Sequence, residues 1–277
     1  FWAAEIRKRS VYEWHKAQAI IEQCKAFIQT PEKNYLISTF DSRLSQLELS
    51  EEEKKKYIED NRKAVLEKII PAYQSLIDAL KQLKGTGKNK NGLCGLEKGK
   101  QYYEYLIRVE TGSDRSIREI GQMLDDAIQK EKTEMAQIMT ESPEAYYAAQ
   151  KAEYSDSNPE KAIKQLKQDI NGDFPALDDN IECQVKYVDE SMEDSMSPAF
   201  YLSPPIDDYQ KNVMYINQSE RFDLSKSFAT IAHESYPGHL YQTCYFQSQN
   251  PCPVRSIISI GGYSEGWGTY AELYSYQ

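Results

Sequence analysis

Three stretches, CQVKYVD (183–189), AFYLS (199–203) and NVMYINQ (212–218), decide how the chain is built, because they interrupt one helical pattern after another. Each is short, rich in β-branched and aromatic residues, and bounded by Ser, Pro and Asp clusters, the pattern of strands separated by turns. They predict a small antiparallel sheet. Upstream, residues 3–29 place Ile6, Val11, Trp14, Ala17, Ile20, Ile21 and Phe27 near helical spacing, and Pro31 ends the run. A second helix is expected after Ser50, where Glu51–Glu53 suit a first turn; it runs to Leu83 with a bend near Pro71. The connector GTGKNKNGLCG (85–95) has the glycines and lysines of a phosphate cradle but neither P-loop nor dinucleotide spacing. Helices are expected again at 98–110, at 114–140 with Ser113 or Asp114 as cap, at 143–154, and at 159–170, where Asn171-Gly172 stops the last. After the strands, helical pattern returns at Lys226–Tyr236 and from about Tyr263 to the last residue. The expectation is a mainly α (α+β) fold. Residues 1–95 form an N-terminal helical region, and 96–277 carry the sheet directly before a motif helix.

That motif is FATIAHESYPGHLYQ (228–242). A His-Glu pair on a helix followed by a second His is an arrangement that suits zinc, since neutral imidazoles are good ligands and three protein donors leave one position open. The Glu beside the first His, Glu234, is then the general base. In the usual form the two His are four residues apart on one helix face. Here His233 and His239 are six apart. On an unbroken helix that is about 600° of rotation, which leaves the rings on nearly opposite faces. Pro237-Gly238 lies between them: Pro disfavours helix at Tyr236, and Gly238 has backbone freedom other residues lack, so the helix is expected to end by Tyr236–Pro237 and swing His239 back. The plainer reading is a helix that simply stops, with His239 on an exposed turn. Three features outweigh it: two of the chain's 3 His are here, Glu234 follows the first directly, and an acidic segment arrives downstream.

The downstream segment is GGYSEGWGTYAELY (261–274). Glu265 and Glu272 are seven apart and share a helix face, with Thr269 between them. Glu265 is the expected third ligand, and Glu272 or Thr269 the group that orients a ligand. The neighbours Gly262, Tyr263, Gly266, Trp267, Tyr270 and Tyr274 suggest a buried wall, where an unpaired carboxylate is costly. His15, in VYEWHKAQ, reads as an ordinary helix histidine; Tyr201, Tyr209, Tyr215 and Tyr236 lie near the motif, but with 21 Tyr in the chain proximity assigns none of them the oxyanion role. No Gly-x-Ser-x-Gly elbow supports a serine hydrolase.

Composition narrows the partners. The 277 residues are 40% apolar and 27% charged, with 43 acidic against 33 basic side chains and a formal charge of −10. Nucleic acid needs a concentrated positive surface, so it is not the expected partner. No run of about 18 apolar residues spans a membrane. The opening FWAAEIRKRS lacks the apolar stretch of a signal peptide, and both ends read as cuts in a longer parent. Cys24, Cys94, Cys183, Cys244 and Cys252 show no CxxC spacing; Cys244 and Cys252 are near enough in sequence to pair across a loop or to remain reduced.

HESYPGH followed by SEGWGTYAE resembles the family of domain of unknown function 885, whose members share HExxPGH and a later EGW; the match is best over 199–277 and extends more weakly to GKQYYEYLIRVETGSDRSIREIG. That family is zincin-like, similar in style to helical peptidases with HExxH plus a later Glu, and dipeptidyl peptidase III is similar in tolerating an inserted residue within the motif. The resemblance implies Zn²⁺ at His233, His239 and Glu265, Glu234 as base, and an exported or lipid-anchored parent that continues past the EGW helix. The resulting expectation is a zinc metallopeptidase acting on a peptide substrate. Two others stay open: a zinc hydrolase of a non-peptide amide or ester, and a helical binding module with a vestigial site. Specificity and oligomeric state are not legible.

Overall fold

The computed structural model describes residues 14–45, 47–87, 89, 91–151, 158–190 and 192–276. The fold is mainly helical with one three-stranded sheet, as the pattern predicts. The chain forms two compact units, one from the residues up to Lys100 together with Asp189–Ser195, the other from Gln101–Val188 and Met196 onward.

The first unit holds α1 (Trp14–Ile28), α2 (Glu51–Ala64) and α3 (Ile70–Gln82). The first expected helix is confirmed from Trp14 onward; its residues 3–13 lie outside the described ones, and His15 falls on α1. Ile21 and Cys24 of α1 pack on Ile77 of α3, with Ile28, Tyr73 and Leu80 around them. Ser50 caps α2 through a reciprocal capping box with Glu53. The bend expected near Pro71 is a π-helical turn at Val65–Ile69, followed directly by α3 with Pro71 in its first turn. Pro71 has no N–H for the carbonyl four residues back, so the ladder widens there.

The boundary at Lys100 falls in the first turn of α4 (Gly99–Thr111), and the second unit continues with α5 (Ile117–Glu141). Ser116, not Ser113 or Asp114, caps α5, because Glu119 three residues on completes a capping box with it. Next come α6 (Pro143–Ala149) and α7 (Pro159–Asp169). The helix expected to 154 closes at Ala149, and 152–157 lie outside the described residues. Beyond α7, Gly172 takes a φ of +97°, a left-handed conformation that glycine adopts freely.

All three strands form where expected: β1 (Glu182–Tyr187), β2 (Ala199–Leu202) and β3 (Lys211–Ile216). Their pairing differs from the expectation. The order is β1-β3-β2, with β2 antiparallel to β3 but β1 parallel to it, so the sheet is mixed. The period-2 pattern identifies strands without identifying neighbours. Residues 188–198 are too long a connection to enforce a hairpin, so β1 pairs with the strand after next.

On β3, Asn212, Met214 and Ile216 point inward and alternate with half-buried Val213 and Tyr215. Met214 and Ile216 join Ala162, Ile163 and Leu166 of α7 in the core. Ile231 and Ala232 enter it from α8 (Phe228–Glu234), and Leu240, Tyr241 and Cys244 from α9 (His239–Ser248). The last helix, α10 (Gly261–Tyr274), packs on α8 and closes at Tyr274, where the Ser275 N–H returns to the Ala271 carbonyl, rather than running to the final residue.

Candidate metal centre

The helix break falls where the sequence puts it. α8 ends at Glu234, Ser235 is its C-cap, the Tyr236–Pro237 peptide is cis, and α9 starts at His239. Gly238 is needed for a reason other than a positive φ: its φ is −74°, but a Cβ there would lie 1.8 Å from the His233 carbonyl oxygen and 2.3 Å from that of Ala232. The chain folds back so tightly that only glycine fits. Its N–H donates to Ala232 O at 3.1 Å, tying the turn to α8.

The fold-back brings the imidazoles together, with ring centroids 4.5 Å apart and planes at 89°. Nε2 of His233 lies 3.5 Å from one carboxylate oxygen of Glu265, and Nε2 of His239 lies 3.8 Å from the other. Two donors bonded to one zinc at about 2.0–2.2 Å in a tetrahedron are roughly 3.4 Å apart, so this donor set is near the spacing a zinc ion takes. On the other side of the ring, Nδ1 of His233 meets Glu272 Oε1 at 2.6 Å. Of Glu272 and Thr269, Glu272 is thus the one that meets His233, and the contact leaves Nε2 free to face Glu265. Thr269 is exposed and donates its hydroxyl to the Glu265 carbonyl one turn back. Burial lowers the His239 pKa, against the opposing charge of Glu234 and with the help of His233, and so favours the neutral ring that a metal requires.

Glu234 stands beside the pair. Its carboxylate accepts from the Tyr201 backbone N–H at 2.8 Å, which anchors it to β2. It is close enough that His233, Glu234 and His239 each offer a ligand atom within 4.8 Å of the others. Two carboxylates thus border one point. Glu265 reaches both Nε2 atoms with its two oxygens, while Glu234 is held by the sheet edge.

Glu265 and Glu272 do not sit in a buried wall: their side chains are 68% and 41% exposed, and Gly262, Tyr263, Gly266 and Tyr270 are exposed too. Their helix face borders an open cleft of about 320 Å³ lined by Tyr201, Ser203, His233, Glu234, His239, Thr243, Ser264 and Glu265. Ser203, Thr243 and Ser264 were not anticipated, although Thr243 is one helical turn beyond His239 and so shares its face. The Tyr201 phenol, whose pKa burial raises, donates to Asn212 Oδ1 at 2.7 Å. Tyr236 is buried, Tyr209 packs against the core, and Tyr215 stacks on Phe200 at 5.1 Å. All five cysteines are free, Cys244 buried and Cys252 exposed, so that loop carries no disulfide.

Two further contacts escaped the sequence. Gly268 lies under the His233 ring, where a Cβ would come within 2.5 Å of Cε1 and Nε2. The Trp267 indole Nε1–H donates to Pro237 O at 2.7 Å. With Glu265, these put one turn of α10 against both halves of the broken motif.

Residues 3–275 match the family described as "Bacterial protein of unknown function (DUF885)". A solved structure, that of the "putative lipoprotein" from Colwellia psychrerythraea, matches with a TM-score of 0.77 at 22% identity, over 94% of this chain and 48% of that one. At that identity the likeness is one of fold, and the chain spans about half the length of that protein. No curated protein matches.

Proposed function

The chain belongs to the DUF885 family of bacterial proteins, and from its site we propose that it is a zinc-dependent hydrolase acting on peptide bonds. The observation that carries the reading is the convergence of His233 Nε2 and His239 Nε2 on the two oxygens of Glu265, with Glu234 alongside. His233, His239 and Glu265 would hold the ion, whose chemistry when bound is to polarise a carbonyl and to acidify water.

The chain's own residues supply the rest. Glu234 takes the proton of the attacking water and returns it to the leaving amine, and the Tyr201 N–H holds its carboxylate in place. Glu272 fixes the tautomer of His233. A peptide is the favoured substrate because β2 is one of the two edge strands of the sheet and runs beside the catalytic carboxylate, which its Tyr201 N–H holds. An extended chain laid along that edge gains main-chain hydrogen bonds and passes the site.

We extend the reading to a location outside the cytoplasm. The lipoprotein description of the Colwellia protein supports it. Among the described residues no helix is long and apolar enough to cross a membrane.

The test is elemental analysis of the purified full-length protein together with turnover on a peptide library and on ester and non-peptide amide substrates. The expected result is one equivalent of zinc and cleavage of peptides, with Glu234→Gln keeping zinc and losing about 10²–10⁴-fold in rate. Peptide cleavage at an unchanged rate by Glu234→Gln overturns the mechanism. Cleavage of esters alone overturns the substrate class.

A further inference from the structure

An ordinary His pair one helical turn apart needs no help, because the helix ladder itself sets the spacing of the two rings. Here the ladder is broken between His233 and His239, so contacts other than the helix ladder must hold the two halves in register. The amide side of the break is tied to α8 by the Gly238 N–H on Ala232 O and by the Tyr241 N–H on Ser235 O, both at 3.1 Å. The carbonyl side is met by α10: Trp267 Nε1–H reaches Pro237 O at 2.7 Å. Pro237 is fully buried, so that carbonyl sits where an unmade hydrogen bond costs most. The indole is itself held from behind, edge-on to Phe174 at 6.3 Å and 83°, and tilted against Tyr270 at 5.6 Å. Its two neighbours on the same turn act on the rings directly, Glu265 through its oxygens and Gly268 through the space it leaves under His233.

We propose that Trp267 is a positioning residue of the metal centre: its indole N–H clamps the Pro237 carbonyl and so fixes where His239 stands relative to His233. The proposal rests on the zinc reading and goes beyond it, since Trp267 is not one of the donors. It also gives the tryptophan next to Glu265 a task distinct from packing: one turn of α10 contributes the third ligand and sets the separation of the other two.

The experiment removes the N–H and keeps the rings. In the full-length protein, Trp267 is replaced by β-(3-benzothienyl)alanine, which has two fused rings but no donor, and in parallel by 7-azatryptophan, which retains the donor. Zinc affinity is measured by competition with a chromophoric chelator. Co²⁺ is used as a spectroscopic probe of geometry, and the metal-free melting temperature reports the fold. The benzothienyl variant should bind zinc about tenfold more weakly, the lower end of the loss when a ligand's support is removed. Its Co²⁺ d–d bands should change, its metal-free melting temperature should fall by no more than one lost buried hydrogen bond accounts for, and the azatryptophan variant should match the unsubstituted protein throughout. Unchanged zinc affinity and Co²⁺ bands in the benzothienyl variant overturn the clamp and leave the zinc reading standing. So does a loss shared by the azatryptophan variant, or one that comes with unfolding of the metal-free protein at the assay temperature, because either assigns Trp267 to packing. Failure of the unsubstituted protein to take up zinc overturns the metal reading and the clamp with it.

Discussion

Nδ1 of His233 stands 2.6 Å from Oε1 of Glu272, thirty-nine residues further along the chain. The bond is possible because Glu265, Gly268 and Glu272 form one stripe of α10, three and then four residues apart, and the imidazole lies across it. A carboxylate flanks each ring nitrogen, and a glycine makes the room between them.

Removing the outer carboxylate should loosen the ring without touching a ligand. Glu272→Ala is expected to weaken zinc binding by about 10–100-fold, and Glu272→Gln, which keeps an acceptor, by less. Chelator competition on the purified variants measures both. An Ala variant as tight as the unsubstituted protein would mean that packing alone orients His233.

Two glycines on the same helix turn should respond with opposite signs. At Gly268 an added Cβ meets the His233 ring at 2.5 Å, so Gly268→Ala should destabilise the fold by about 1–3 kcal/mol and weaken zinc binding. At Gly266 nothing lies within 4 Å, so Gly266→Ala should stabilise the helix by up to about 1 kcal/mol. Urea unfolding of the two variants checks the pair, and equal effects would rule out close approach as the reason for Gly268.

Thiol reactivity should divide the cysteines by burial. Cys94 and Cys252 are exposed, whereas burial pushes the Cys183 and Cys244 thiols up to about 11 and also raises that of Cys24. Alkylation of the native protein at pH 8, read by mass spectrometry of peptides, should label the first two quickly and the other three only after unfolding. Rapid labelling of Cys244 would contradict its place in the core.

Alkaline pH should destabilise the second unit. Burial pushes the Tyr241 phenol up to about 12, and the hydrogen bond to the Asp173 carboxylate pushes Tyr274 up to about 12, from an ordinary value of 10.0. Both groups stay protonated in the folded chain while the unfolded chain ionises. Their contribution is therefore whole below pH 10 and is lost as pH rises from there toward 12. Urea midpoints between pH 9 and 12 should fall, and the fall should be shallower in Tyr241→Phe and Tyr274→Phe. A flat profile would show that neither phenol is held in this way.

The local grammar of this protein was legible in its sequence. Ser50 with Glu53, Pro71 after a long helical run, Gly172 after α7, and the Pro237-Gly238 interruption each act within a few residues of themselves, through capping, a missing donor or a permissive backbone. The spacing of His233 and His239 required the break, and the seven-residue step from Glu265 to Glu272 put two carboxylates on one face. Tertiary structure alone decided which strands are neighbours: a period of two is the same for parallel and antiparallel partners, and β1 took β3 because a long connection enforced nothing closer. It also decided that Glu272 rather than Thr269 meets His233, that Glu265 faces an open cleft and not a buried wall, and that Trp267 reaches the Pro237 carbonyl. Those contacts join residues thirty or more positions apart, and their partners are set by how helices pack against one another, which the periodicity of a single helix does not encode.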